Sequence, residues 1–291
     1  MVSARAPKRL APGGVAAAAI LAVLVLVALL SLAWLPADPN AASAQRLWLD
    51  PSPAHPLGTD GSGRDVAARL MAGTRVTVAV LLGTGALAAV IGLALALLGG
   101  LGPRRLRETV AVAIDVLVAF PTVLLAMMLA AVFGSGIPIV IAALGVAFGV
   151  GIGRVLRSEF RQVSELDYVL AARAVGLPRA TILRRHLLPG VRPVLLVQLS
   201  LAMGLSVLAE ASLSYLGFGA PPEVPSWGLM LAEAQRVIQV HPLAALWPGL
   251  AITSVALACY LLGDALRDAL DPGVERRSPG SRPVPGSEVH P

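Results

Sequence analysis

The stretch Asp167 to Pro189, DYVLAARAVGLPRATILRRHLLP, separates two long apolar parts of the chain. It carries four arginines, whereas no charged residue occurs from 116 to 153 before it or from 193 to 209 after it. An ordered, charged segment punctuated by alanine and glycine between membrane-crossing helices is typical of a surface offered to a partner. The chain is therefore expected to alternate between lipid-embedded helices and one prominent polar loop.

Composition supports this interpretation. The chain has 291 residues, of which 56% are hydrophobic and only 14% are charged. Soluble domains average about 25% charged residues, so lipid must be the solvent for most of the chain. Five uncharged runs are present, at 10–35, 76–103, 116–153, 193–209 and 237–263.

The run 116–153 is too long for one crossing, because about 20 apolar residues span a bilayer. It contains the turn sequence FGSGIP at 133–138, where glycine and proline favour a reversal. The prediction is an all-α, polytopic membrane protein with six transmembrane helices. Their predicted ranges are 13–35, 76–101, 110–133, 137–157, 191–215 and 243–265.

The first span follows Arg5, Lys8 and Arg9, as a secretory signal peptide would. Its uncharged run exceeds the 7 to 15 residues usual for such a peptide, which favours a signal anchor over a cleaved peptide.

Orientation in the membrane follows from the distribution of lysine and arginine. With the N-terminus inside, 18 of the 23 cationic residues lie in the cytoplasm. Both termini and the basic loop are therefore predicted to be cytoplasmic, and the net charge of +6 does not indicate nucleic-acid binding.

These assignments divide the chain into a cytoplasmic tail, a membrane domain and a second tail. The predicted ranges are 1–12 for the N-terminal tail, 13–271 for the transmembrane domain and 272–291 for a disordered cytoplasmic tail rich in Pro, Gly and Ser. Within the domain lie external loops at 36–75 and 216–242 and a cytoplasmic loop at 158–190. The second external loop contains GLMLAEAQRVIQ, which predicts a short amphipathic helix at the membrane surface.

Catalytic and metal-binding patterns are missing from the sequence. The only lysine is Lys8, which follows Pro7, so there is no Walker A loop for nucleotide phosphates. The four histidines are dispersed and form no His-Glu-x-x-His motif, and no Gly-x-Ser-x-Gly motif occurs.

The segment from Asp60 to Asp65 is a poor calcium loop, because glycines occupy its spacers and Arg64 stands where a ligand is needed. It is better explained as a tight turn before a helix at 65–72. We predict no catalytic residue, no metal site and no enzyme activity.

Three residues within the spans attract attention. Asp115 and Glu210 are ionisable residues near opposite membrane faces. Asp115 is shallow enough to reach headgroups or pair with an arginine. For both residues a structural role, capping or helix–helix hydrogen bonding, is favoured over substrate contact. Cys259 is the single cysteine and is expected to pack as a small apolar residue.

The basic loop itself predicts a compact knob, a name used here for residues 165–189. Residues 166–175 can form a helix that Gly176 caps, and Pro178 then starts a second helix toward His186. Pro189 is expected to stop that helix before the fifth span.

The knob resembles the EAA loop of ABC importer permeases in its Ala171-Ala172 pair, Gly176 and Leu188-Pro189, with Leu170 where the general motif has Glu. Two further segments occur in the same family's order, HPLGTDGSGRD at 55–65 and LAEASLSYLGFGAPPEVPSWG at 208–228. Together they resemble the C-type permease subunit of dipeptide, oligopeptide and nickel ABC importers, over residues 15–270. In that subfamily the Glu of the EAA motif is commonly absent.

The resemblance implies a type I ABC importer permease fold in a bacterial inner membrane. It implies four partners, namely a second homologous permease, two cytoplasmic ATPases and an extracytoplasmic binding protein. ATP and Mg would be bound by the ATPases, so no cofactor is expected in this chain. Transport would proceed by alternating access, as closure of the ATPases pulls on the knob.

Site residues follow from the same resemblance. Ala171, Ala172 and Gly176 would contact the ATPase, and His186, Leu188 and Pro189 would fix the knob to the fifth span. The residues expected to face the binding protein are Asp60, Arg64, Asp65 and Trp227. The cargo stays open, because peptide, nickel-chelate and glutathione importers share these motifs.

Two other functions compete with this interpretation. An ion-coupled secondary transporter would need no ATPase, but it would usually show paired acids or broken helices at mid-membrane depth. An accessory or scaffold subunit would have no translocation path.

Overall fold

A computed structural model describes residues 12–270 of the chain. The predicted tail at 272–291, and that at 1–12 apart from its last residue, lie outside the described residues. Ten α-helices are present in the described part: α1 Pro12–Ala33, α2 Val66–Leu101, α3 Arg104–Val118, α4 Thr122–Phe133, α5 Ile137–Ser164, α6 Asp167–Ala174, α7 Arg179–Ile182, α8 Leu188–Tyr215, α9 Trp227–Gln235 and α10 Leu243–Leu270. Between residues 12 and 270 no strand forms, so the all-α prediction is confirmed.

Five helical segments are long and apolar enough to cross a membrane, and a sixth arises if α3 and α4 count as one span. The helix of the second span begins ten residues earlier than the predicted span, at Val66. Asp65 accounts for this start, because its carboxylate accepts a hydrogen bond from the backbone N–H of Ala68 and caps the helix. The helix predicted at 65–72 is thus the first part of α2. The external loop predicted at 36–75 correspondingly ends at residue 65.

The span predicted at 110–133 is divided between two helices, α3 and α4. The chain bends by 85° between α3 and α4. Pro121 lies at the bend, where it lacks a backbone N–H and disfavours helical geometry in Phe120 before it. The apolar run therefore forms two short helices.

The prediction that Pro189 stops a helix is wrong. One continuous helix runs from Arg179 to Tyr215, joining the knob to the fifth span. Residues 183–187 of this helix form a π turn immediately before Pro189. We attribute the π turn to the proline, because its ring would clash with the carbonyl four residues earlier in a regular helix.

The most extensive helix pair is α2 against α5. Gly145, Gly149 and Gly153 recur every fourth residue on α5 and let the backbones approach. A Cβ atom added at Gly149 would lie 2.8 Å from Cβ of Ile91 and 3.2 Å from Cα of Ala88 on α2. This close packing holds the end of α5, from which the knob extends.

Candidate functional site

The knob is built around a rigid turn at Gly176. This residue has φ +81°, the left-handed region that favours glycine. Its N–H donates to the carbonyl of Arg173 at 3.0 Å, and the N–H of Leu177 donates to the carbonyl of Ala172 at 3.1 Å. These two bonds form a Schellman motif, so the predicted glycine cap of α6 is confirmed. The following helix, α7, starts after Pro178, as predicted.

The knob is attached through an apolar base. Val169 and Ala172 share one face of α6 and are buried in a cluster with Val163 of α5 and Ile182 of α7. Ala172 is 8% exposed, so its predicted place in the contact surface is corrected. At a spacing of three residues it must point to the same side as Val169. Its role is to bring α6 close to the bundle.

The three residues predicted to anchor the knob lie in different environments. The ring of His186 lies 6.0 Å from that of Tyr168, centroid to centroid, and Leu188 packs on the apolar base. Both contacts support an anchoring role. Pro189 is exposed, and its effect is on the shape of the helix.

The outer tip of the knob is unexpectedly apolar. Val175 is 82% exposed next to the Gly176 turn, and Leu166, Tyr168, Leu170 and Leu177 are also exposed. Ala171 and Gly176 lie on this same exposed side. Sequence reasoning missed Val175, although its position just before the capping glycine places it at the end of the helix. Apolar side chains gathered in this way on a surface mark an interaction site.

The other predicted site, on the loop before α2, forms an ionic cluster with α9. We use the name outer cluster for Asp60, Arg64, Arg69 and Glu233. Asp60 lies 2.9 Å from Nε of Arg64 and 2.6 Å from a terminal nitrogen of Arg69, and Glu233 lies 2.8 Å from Arg64. Arg69 is 3% exposed and also binds Glu233. The structure thus brings Asp60 and Arg64 together and adds Arg69 and Glu233, which the motif did not single out.

Asp65 and Trp227 do not face outward. Asp65 is buried, where it caps α2 and binds His55 at 2.8 Å. Trp227 is buried as well and donates from its indole nitrogen to the carbonyl of Leu70 at 3.0 Å. Gly73 makes room for it, because a Cβ there would lie 2.7 Å from the indole. The prediction that these two residues face a partner is therefore corrected, and they instead position the loop and α9.

A cavity of about 590 Å³ adjoins the outer cluster, between the first external loop and the start of α10. Trp48 and His241 stack on its wall with centroids 4.0 Å apart. Because His55 is bound to Asp65, the two histidines of this face have separate partners. In residues 12–270 no group of three metal-ligating side chains is found.

The ionisable residues of the spans have structural contacts. Asp115 lies 3.3 Å from Arg154. Glu210 accepts a hydrogen bond from the hydroxyl of Ser214 at 2.7 Å, and that hydroxyl accepts one from the N–H of Ala220 at 2.9 Å. The predicted pairing of Asp115 with an arginine is confirmed, whereas the hydrogen bond of Glu210 lies within α8 and does not join two helices as predicted. Cys259 is buried, as expected of a packing residue.

Replacing Arg69 by glutamine should destabilise the packing of α9 against the start of α2. The change removes the more buried of the two cations between Asp60 and Glu233, and breaking a buried ion pair costs on the order of 3 kcal/mol. We expect a lower thermal unfolding midpoint in detergent. Arg236→Gln is the matched control, because Arg236 is exposed and forms no ion pair with any residue between 12 and 270. Equal midpoints for the two variants would contradict a stabilising role of Arg69.

Known proteins resemble this chain over most of its length. Residues 88–276 match the family described as binding-protein-dependent transport system inner membrane component. The chain is 40% identical over 261 residues to the glutathione transport system permease protein GsiD of Pectobacterium atrosepticum, covering 89% of this chain and 87% of that protein. It is 37% identical over 253 residues to the nickel transport system permease protein NikC of Escherichia coli, covering 87% of this chain and 91% of that protein.

Among solved structures, the fold resembles a chain of the MetNI methionine ABC transporter in an inward-facing conformation. The TM-score is 0.58, with coverage of 70% of this chain and 97% of the other. At 19% identity this likeness concerns the fold alone.

Proposed function

The chain belongs to the family of inner membrane components of binding-protein-dependent transport systems, and from this premise we propose that its knob couples ATP hydrolysis in partner subunits to transport. As a member of that family it is a multi-pass permease subunit of an ABC importer. The observation that carries the proposal is the 82% exposed side chain of Val175 at the tip of a rigidly capped turn. An ATPase groove lined by apolar side chains would bury this tip.

Coupling of this kind needs a stiff connection. The Schellman motif fixes the turn, and the apolar base fixes α6 and α7 to the end of α5. The second knob helix then continues into the membrane as α8. A force on Val175 would therefore reach the transmembrane helices through regular secondary structure rather than through a flexible linker.

The opposite face is proposed to receive a substrate-binding protein. Arg64 and Glu233 of the outer cluster remain partly exposed and offer both charge signs. Complementary charges on the binding protein would set its orientation, as charged rims generally do. Asp65 and Trp227 would support this surface from below.

A second permease subunit is proposed to cover the bent pair α3–α4. Its surface is apolar and exposed, with Met128 at 63%, Val132 at 75% and Phe133 at 70%. Alternating access would then occur between the two permeases.

We propose a small polar cargo of the dipeptide, oligopeptide or nickel-chelate kind, because relatives of similar identity are named for glutathione and nickel transport.

The ion-coupled alternative has no observation in its favour. Glu210 is bound to Ser214, and Asp115 is paired with Arg154. Both carboxylates thus have protein partners.

The proposal requires the knob and the outer cluster to lie on opposite sides of the membrane. Cysteine at exposed Ser62 should react with an impermeant maleimide added outside right-side-out vesicles, and cysteine at exposed Ala180 should react only after permeabilisation. The native Cys259 is 2% exposed and gives the background control. The reverse labelling pattern would contradict the proposed orientation and the ATPase contact together.

A further inference from the structure

A second, smaller pocket lies at the end of the bundle that also carries the knob. It has a volume of about 240 Å³ and lies between the end of α2, the start of α3 and the last turns of α5. We call it the arginine pocket, because it is lined by Arg104, Arg107, Arg157 and Arg161. Glu108, Gly99, Gly100 and Ala111 complete the lining.

The charges of this pocket are unbalanced. Glu108 supplies the single carboxylate of its lining and is engaged by Nε of Arg104 at 2.8 Å. Within residues 12–270, no carboxylate lies within 4 Å of Arg107, Arg157 or Arg161. Guanidinium groups brought together from two helices repel one another unless an anion lies between them. The pocket is therefore complementary to an anionic group.

Gly99 shapes the pocket around Arg157. A Cβ atom at this glycine would lie 3.0 Å from Cδ of Arg157 and 3.1 Å from Cγ1 of Val110. The missing side chain lets the half-buried Arg157 lie against the end of α2. Arg157 is thus held in place, whereas the other three arginines are exposed and can adjust around a ligand.

Exposed apolar side chains lie next to the pocket residues in the sequences of α2 and α3. Val112 and Val116 of α3 are 64% and 55% exposed, and Leu98 and Leu101 of α2 are 47% and 41% exposed. A ligand with an anionic group and hydrocarbon chains would match both parts. Free phosphate would match the arginines alone.

We propose that the arginine pocket binds the phosphate headgroup of an anionic phospholipid, with its acyl chains along α2 and α3. Guanidinium groups bind phosphate oxygens in pairs, and basic pockets between transmembrane helices are suited to phospholipid headgroups. The lipid would neutralise the converging arginines and join α2, α3 and α5 where the knob begins. This site is separate from the knob surface and does not depend on its proposed role.

The test measures phosphatidylglycerol binding to the full-length chain, purified with its transporter subunits. Native mass spectrometry counts retained lipid, and titration gives the affinity. Each arginine near an anionic lipid is worth about fivefold in affinity, so Arg107→Gln with Arg157→Gln should weaken binding about 25-fold. Arg105→Gln is the matched control, because Arg105 is exposed on the same turn but does not line the pocket. It should retain the wild-type affinity.

Further measurements distinguish a bound lipid from a free anion and from a protein partner. Phosphatidylglycerol should raise the thermal midpoint of the wild-type protein but not of the double variant, whereas phosphatidylcholine should raise neither. Equal stabilisation by inorganic phosphate would overturn the lipid assignment. Unchanged lipid affinity in the double variant would overturn the site. Loss of the ATPase subunits with lipid binding intact would show that the arginines hold a protein partner instead, which would also overturn the proposal.

Discussion

Replacement of Val175 by aspartate should separate the permease from its ATPase subunits and reduce ATP-driven uptake by more than about tenfold. The reason is that a carboxylate placed in an apolar contact loses its hydration, at a cost of several kcal/mol when it is unpaired. The fold should survive, since the side chain is 82% exposed in the isolated chain. The measurements are co-purification of the ATPases, membrane abundance and uptake.

The matched control is Val240→Asp. Val240 is 75% exposed but lies far from the knob in the chain, in the loop between α9 and α10. This variant should retain the ATPases fully. A companion variant, Gly176→Leu, tests the turn beneath the tip. No atom lies within 4 Å of a Cβ placed at Gly176, so the substitution causes no clash. It instead strains the left-handed backbone conformation of this residue, which lowers the free energy of unfolding by about 1 kcal/mol. If Val175→Asp keeps both the ATPases and normal uptake, the knob is not the coupling surface.

The second large effect concerns the energy source. Reconstituted alone in liposomes, the chain should accumulate no dipeptide, glutathione or nickel chelate under an imposed proton or sodium gradient. The sequence lacks the Walker lysine, and the carboxylates of Asp115 and Glu210 are held by Arg154 and Ser214. With the paired permease, the ATPases and the binding protein present, accumulation should appear.

Accumulation in the complete system should require hydrolysable ATP. A non-hydrolysable analogue is the control, because it can bind the ATPases but cannot reset them. Gradient-driven uptake by the lone chain would instead establish it as a secondary transporter. Uptake by the complete system with the analogue would show that hydrolysis is not the driving step.

Much of the fold could be predicted because uncharged runs of membrane length are strong signals. The ends of the helices are harder to predict from the sequence, since they depend on contacts of individual residues. The start of α2 required the capping carboxylate of Asp65, and the bend before α4 depended on Pro121 within an otherwise uniform apolar run. Pro189 does not end its helix as the sequence predicts, because a π turn accommodates the proline ring and the helix continues.

At the candidate site, local geometry was more predictable than exposure. Gly176 was identified as a cap because a left-handed turn favours glycine, and it forms one. Which side of α6 packs on the bundle depends on tertiary contacts, and Ala172 lies on the buried side beside the exposed Ala171. Trp227 was equally misleading, since its partner Leu70 lies 157 residues away in the chain.

In the proposed coupling, the continuous helix from Arg179 to Tyr215 would act as a lever. Its 37 residues extend about 55 Å at 1.5 Å per residue, well beyond the hydrocarbon thickness of about 30 Å. A tilt of about 5° around its midpoint would displace each end by about 2.4 Å in opposite directions. Near its far end stands Ser214, whose hydroxyl holds the backbone of Ala220. A small inward displacement of the knob would thus arrive at the opposite membrane surface as an outward one.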